Sequence, residues 1–475
     1  MVSLMSLARR WGAGVAWLAA VAMLGIGTST RADEAPTYHR DILPILQKNC
    51  QECHHPGQVA PFSLLDYTQA RKRADDIAAV TEQRIMPPWH ASTAEGGPFR
   101  GVRVLAEKEI KVLADWAEAG APEGNPKDAP PPRTWHSEWA LGPPDLVLKV
   151  AEPFTLGASG PDEYRVFAIP SGLTQGHWIA AVDFKPGNPR VVHHILAAYD
   201  VSGTARKLDA ADSGPGYASS GGGYGRLPNG LPFLPAGQLW GWAPGRRPFW
   251  SPEGTARALP AGADVLLQVH YHKSGKPETD ASTIGLYFAR GPVDKQIRSG
   301  VVLPPRPSLF GRPELRIPPG EPRHEVKGAM TIRQDSHLLG VFPHMHLLGR
   351  DFRLTAVRPD GSRQTLIRVD DWDFNWQTLY EFEKAVALPK GTRIEMVAHF
   401  DNSPGNLHNP SRPPIEVRWG EETTDEMCIG FLHLTRDSEH LNNRPPTAPR
   451  RLFTARRGAA ALEEEPGDHP DRGQK

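Results

Sequence analysis

From about residue 145 the sequence is written in short apolar runs separated by Gly, Pro, Asn and Asp, and that punctuation limits the possible folds more than any other feature. Leu146 to Val150, Val191 to Tyr199, Val265 to Tyr271, Ile284 to Phe288, Leu338 to Phe342, Phe352 to Val357 and Ile394 to Phe400 are too short for ordinary helices and read as strands. Strands at such spacing predict β-sandwiches or jelly rolls. With 48 prolines and 46 glycines and only 23% charged residues, the composition favours the same loop-rich β reading. Leu303-Pro-Pro-Arg-Pro307 and Ile317-Pro-Pro-Gly320 divide the region into two sandwiches of similar size, 145–297 and 298–449.

The chain of 475 residues exceeds one ordinary core, and its first part has a different character. Residues 33–125 read as a small helical domain. Asp41-Ile-Leu-Pro-Ile-Leu46 opens it, Tyr67 to Gln83 is rich in alanine and charge, and Glu107 to Ala119 carries an apolar stripe at Ile110, Leu113, Ala114 and Trp116. Gly120 and Pro122 close that last helix, and residues 126–144, with Pro130-Pro-Pro132, read as a linker. The fold class expected is therefore mainly β with a small α domain. Residues 209–230, rich in Gly and Ser, read as a mobile loop, and 450–475 as a disordered tail.

Arg9 and Arg10 precede an apolar stretch from Trp11 to Ile26, followed by Thr30-Arg31-Ala32. A basic segment, a short apolar run and a small residue at the cut are the parts of a secretory signal peptide, so 1–32 is expected to be removed and the protein exported, to the periplasm in a bacterium. The competing reading is an uncleaved anchor, but the run is broken by glycines and short of the ~20 residues a span needs. Removal leaves 51 basic against 54 acidic side chains, a balance that argues against nucleic acid as a partner. Export permits disulfides, yet only Cys50, Cys53 and Cys428 exist, too few for a disulfide framework.

Cys50-Gln-Glu-Cys53-His54 is the attachment pattern of a c-type haem, in which two thiols join the vinyl groups and the next imidazole lies beneath the iron. A zinc site would need a second ligand pair nearby, and a redox dithiol a βαβ setting. Met86, in Ile85-Met-Pro-Pro-Trp89, stands where a thioether would complete the haem and raise its potential; His90 and His39 are the alternatives.

Three histidine groups fall on predicted strands: His193-His194, His270 with His272, and His344 with His346. Histidines two apart on a strand share a face and can reach one metal. Adjacent ones point oppositely, so His193 and His194 can share a metal only at a bend or through different ring nitrogens. Imidazole suits Zn, Cu, Fe and Ni, and a thioether would single out copper.

These segments resemble the copper type II, ascorbate-dependent monooxygenases, the family of peptidylglycine α-hydroxylating and dopamine β-monooxygenases. The family's His-His pair stands here as His193-His194, its Leu-Gln-Val-His-Tyr strand as Leu267 to Tyr271, its His-x-His and leucine-glycine as His344-Met-His346-Leu-Leu-Gly349, and its Asp-Glu-Met-Cys as Asp425 to Cys428. The resemblance runs over about 300 residues, and it implies two jelly rolls and two copper ions. One copper, for electron transfer, would sit on His193, His194 and His270. The other, binding O₂, would sit on the catalytic residues His344, His346 and Met427. Two departures matter. Cys428 has no partner for the family's disulfide, and Phe342 and Phe431 replace the arginine and tyrosine that grip a substrate carboxylate in the peptide enzyme. A more apolar substrate is implied. His272 is extra to the pattern and reads as a solvated strand residue.

The resulting expectation is a copper- and haem-containing monooxygenase that hydroxylates a C–H bond of a small organic substrate with O₂. Its one covalent haem would pass on electrons from an upstream cytochrome, quinol or ascorbate-like reductant. The alternative is a non-catalytic haem and copper electron carrier or copper-binding protein.

Overall fold

The computed structural model describes residues 35–448 except 57, 59, 135–138, 220–222, 245 and 308–312. The expected signal peptide at 1–32 and tail at 450–475 lie outside the described residues. No helix among the described residues is long and apolar enough to cross a membrane.

The protein is mainly β. All seven runs singled out in the sequence contribute to strands. One five-stranded sheet has the order Tyr217–Ser219, Glu163–Pro170, Asp264–Tyr271, Val192–Asp200, Gly237–Trp242. It faces a second, ordered Lys295–Gln296, Thr255–Leu259, His177–Lys185, Thr283–Phe288, Leu146–Lys149, across a core that includes Ile195, Leu267, Val269 and Ile284. The Asp264–Tyr271 strand lies in the middle of its sheet with all eight residues buried, which is why it reads as a continuous apolar run. A second pair of sheets encloses a separate core around Phe352, Leu354, Ile394 and Leu432. Its four-stranded member has the order Arg298–Val302, Cys428–Arg436, Ser336–Met345, Tyr380–Leu388.

The N-terminal part contains the helices Leu43–Asn49, Tyr67–Arg71, Ala74–Glu82 and Glu107–Glu118 around Ile42, Leu46, Leu113 and Trp116. It is not helical throughout. Ala91–Gly96 is a strand on the edge of the second sandwich, pairing antiparallel with Arg363–Val369. Arg353 and Arg368 of the sandwich clasp Glu95 from either side. Phe99, 4% exposed, and Trp89 pack into the second core beside Tyr380. Gly96 is needed where the strand closes on its partner: its φ is +90°, and a Cβ there would stand 2.9 Å from the Leu366 carbonyl oxygen. The end of the proline-rich stretch, residues 139–144, packs on the first sandwich, with Trp139 buried against Gly285 and under Lys185, and the Gly142 carbonyl accepting from the Tyr287 hydroxyl at 2.8 Å.

Of the 209–230 segment, expected to be mobile, the described residues are packed and hydrogen-bonded. They continue the Thr204–Ala211 helix into a strand, and Tyr217 and Tyr224 are buried and hydrogen-bonded to each other at 2.8 Å.

Candidate metal centres

His194 and His270 are directly opposite each other in the ladder. The next pair is Tyr271 with Val192, so His193 is the extra residue of a β-bulge. This is the bend that lets adjacent histidines face one way, and they do so through the same ring nitrogen rather than different ones. His193 Nδ1 and His194 Nδ1 are 3.3 Å apart, and His270 Nδ1 is 3.4 Å from His194 Nδ1. Ligand atoms of all three lie within 4.8 Å of one another. Nitrogens held at about 2.0 Å by one tetrahedral metal would lie ~3.3 Å apart, so the donor set fits a single ion.

Burial, with the neighbouring histidines, holds His193 down to about 3 and His194 well below the ordinary histidine range, so both are neutral donors. His270 Nε2 donates to Asp162 at 2.9 Å, which leaves Nδ1 as its free donor. Burial alone would raise the Asp162 carboxyl; hydrogen bonds from His270, Thr423 and His272 outweigh it and hold it well below the usual carboxylate range. His272 is indeed solvent-facing, at 67% side-chain exposure, yet it is not idle: its Nδ1 is 2.8 Å from Asp162.

The second group differs in every supporting contact. His344 and His346 alternate along the Ser336–Met345 strand and its exit, their ring centroids 5.1 Å apart. His344 Nδ1 donates to Gln377 Oε1 at 2.5 Å and His346 Nδ1 to the Asp425 carbonyl at 3.1 Å, so both present Nε2. Burial holds these rings at about 4 and about 3. Met427 is 7% exposed and immediately precedes the Cys428–Arg436 strand. The register pairs His344 with Ile429 and Met345 with Cys428, which brings Met427 alongside His346. The Glu426 carboxylate fastens the strand exit by accepting the backbone N–H groups of His346, Leu348 and Met427 at 2.8, 2.6 and 3.2 Å. Cys428 is buried with its sulfur 3.9 Å from that of Met396, so packing stands where a disulfide would.

The two groups face each other across one ring. Phe374 stacks on His193 at 5.1 Å and meets His346 edge-on at 5.8 Å. The same 370–379 loop provides Gln377 to His344 and the Trp372 Nε1 donor to the His346 carbonyl at 3.1 Å. Asp162, Phe374, Gln377 and Glu426 were not apparent as site residues from the sequence. The one local signal that could have pointed to that loop is the density of aromatics in Trp372-Asp-Phe-Asn-Trp376.

At the third motif, the Cys53 and His54 N–H groups both donate to the Cys50 carbonyl, at 3.2 and 3.1 Å, so the two thiols and the imidazole share one turn. His54 Nδ1 donates to the Phe62 carbonyl at 3.3 Å and leaves Nε2 free. Burial pushes the Cys50 thiol up to about 12 and raises Cys53, the opposite of a thiolate poised for exchange. Ile85, Met86, Val102 and Val104 are 38–50% exposed, a loose apolar fringe in the stretch between the helices. His39 Nε2 is turned to Glu123 at 3.4 Å, whereas His90 Nε2 is buried with no partner among the described residues. Arg247 pairs with Glu52 of the motif. Arg103, whose charge acts on Cys53, lies over the Trp376 ring at 5.8 Å.

Two sandwiches that present facing groups of partly or fully buried imidazoles define a donor arrangement suited to metal ions. Residues 309–443, which carry His344, His346 and Met427, match the family model of the copper type II ascorbate-dependent monooxygenase C-terminal domain. That family consists of copper-dependent monooxygenases, so the enzyme class indicated is an oxidoreductase that uses copper and O₂ with an ascorbate-type reductant. No curated protein matches the chain. Among solved structures it is similar to the infectious bursal disease virus VP2 subviral particle (9% identity, 64% of this chain and 73% of that one, TM-score 0.17). It is also similar to PNGF-II (9% identity, 61% and 65%, TM-score 0.24). At these TM-scores neither likeness bears on fold or function.

Proposed function

We propose that this is an exported copper- and haem-containing monooxygenase that hydroxylates a C–H bond of a small organic substrate. The haem joined to Cys50 and Cys53 above His54 would feed electrons to two copper ions. Overall, the substrate and O₂ with two electrons and two protons would give the alcohol and water. The observation that carries the reading is the convergence of the His193, His194 and His270 Nδ1 atoms, one phenylalanine ring away from His346. Copper bound at these sites supplies one-electron chemistry and activation of O₂.

The chain's own residues do the rest. Asp162 and Gln377 fix which nitrogen of His270 and His344 is free. Met427 offers a soft sulfur to the second group only, which distinguishes it as the site for Cu(I) and O₂. Phe374 stands between the groups, stacked on His193 and edge-on to His346. Electron entry by the haem is supported by the free Nε2 of His54 and by the run of contacts from Arg103 through Trp376 to Gln377 and His344. Met86 is proposed as the sixth haem ligand, with His90 the competing candidate.

The test is to load the full chain with haem and copper, reduce the haem, and follow its reoxidation by O₂. Reoxidation that requires copper is expected. Equal rates with and without copper would remove the proposed wiring.

A further inference from the structure

The turn that leads into Met427 belongs to the second sandwich but reaches the first. Between the Val417–Arg418 and Cys428–Arg436 strands the chain closes on itself over residues 420–426. The Asp425 N–H donates to the Glu422 carbonyl at 2.9 Å and the Gly420 N–H to the Glu426 carbonyl at 3.1 Å. Gly420 is required at that closure, because a Cβ there would collide with the Asp425 carboxylate. Two hydrogen bonds then cross to the first sandwich. Thr423 Oγ1 donates to Asp162 Oδ2 at 2.7 Å, and the Tyr164 hydroxyl donates to the Glu421 carbonyl at 2.8 Å.

Asp162 is the member of the first metal group's surroundings that the ladder does not hold. The pairing of its strand ends at Glu163 opposite Tyr271, and Asp162 lies one residue outside. Yet its carboxylate decides which nitrogen of His270 is free, since Oδ2 accepts from His270 Nε2 at 2.9 Å. Oδ1 accepts from His272 Nδ1 at 2.8 Å, but that side chain is 67% exposed and must give up its rotamer freedom to stay there. Thr423 is part-buried, and its branched Cβ makes it stiff at χ1. Its hydroxyl is bonded to the same oxygen that His270 uses, so these two donors together set the direction of Oδ2.

We propose that Thr423 is a positioning residue of the first metal group: from the second sandwich it holds the carboxylate that orients His270, and a metal on His193, His194 and His270 in turn fastens the 420–426 turn. All three ligands come from one sandwich, and the side chain that steadies their outer partner comes from the other. The group is therefore complete only when the two sandwiches are closed on each other. Binding free energies are reciprocal, so whatever the Thr423 hydroxyl adds to metal affinity the metal returns to the seating of the turn. The Tyr164 bond to Glu421 remains when the Thr423 hydroxyl is removed, so such a change frees the carboxylate without releasing the turn. The proposal rests on the first group taking a metal, and not on the haem wiring or the oxygenase chemistry.

The test uses the full chain carrying His344→Ala, which removes a ligand of the second group without touching the turn, because His344 Nδ1 is held by Gln377. Cu(II) affinity is measured by chelator competition, and the bound ion is followed by electron paramagnetic resonance. Adding Thr423→Val is expected to weaken Cu(II) about fivefold and to alter the copper hyperfine splitting. Thr423→Ser, which keeps the hydroxyl, should restore both. With Thr423 in place, Cu(II) should slow hydrogen exchange at the Glu422 and Asp425 amides about fivefold, and with valine it should not. The proposal is overturned by a valine variant that binds within about twofold of its parent, by serine failing to restore affinity, or by exchange at 422 and 425 that ignores copper. The last result needs no change at Thr423. If the first group binds no Cu(II), the metal reading of that group falls and the proposal with it. The expected binding, together with no oxygen uptake by the unaltered chain, would instead remove the oxygenase reading and leave the role of Thr423 standing.

Discussion

The first histidine group lies wholly on paired strands, whereas in the second only His344 does, with His346 and Met427 just beyond the strand ends. His194 and His270 are ladder partners, His193 is turned inward by a bulge, and Asp162 locks the one ring whose nitrogen choice remained. His344 and His346 instead depend on Gln377 from the 370–379 loop and on the Asp425 carbonyl, while Met427 stands at the strand's very entrance. A sheet interior resists displacement, whereas a loop side chain can shift by a fraction of an ångström at little cost. On the function proposed above, the difference would let one chain hold a site that keeps its shape while electrons pass and another that adjusts to what binds it.

If that contrast is right, loss of a ladder ligand should be the most damaging change. His194→Ala is expected to lower bound copper from two ions to one and to cut oxygen uptake beyond the ~100-fold that loss of an outer partner can cause; retention of two ions in metal analysis would break the comparison. Met427→Ile should reduce oxygen uptake about 100-fold while changing unfolding stability in urea by less than about 1.5 kcal/mol, since volume is conserved. Asp162→Asn should weaken copper at the first site by about 10- to 100-fold in chelator competition and leave the second unaltered. Gln377→Ala should weaken only the second site, by about tenfold, because a loop partner is more easily replaced by water.

The smallest effect concerns pH. Burial, opposed by Arg246, Arg100 and Arg257, raises Glu381 to about 8 from its ordinary 4.5. A carboxyl raised on folding contributes stability below its unfolded value and loses it as pH rises through the folded one. The melting temperature should therefore fall between pH 5 and 9, and Glu381→Gln should flatten that slope in calorimetry.

What could be read from the sequence was whatever depends on neighbours along the chain. The strands around His194, His270 and His344 showed as apolar runs because their residues face two covered sides or alternate regularly. The bulge at His193 was legible only as one of two alternatives, a bend or the use of different ring nitrogens, since a one-residue slip changes no local composition. Asp162 and Gln377 were missed for a different reason: they lie 108 and 33 residues from the rings they orient, and only tertiary packing brings them there. Ala91–Gly96 has no alternation of its own and becomes a strand because the Arg363–Val369 edge accepts it.

That borrowed strand changes what counts as a separable piece. A chain cut anywhere in the 126–144 stretch would leave the Arg363–Val369 edge bare and strip Phe99 and Trp89 from the core beneath it, inviting the uncovered edge to pair with a second copy. The Cys50 to His54 turn and the distant sandwich therefore share one inheritance: neither can be exchanged, trimmed or grafted onto another protein without carrying a strand's width of the other with it.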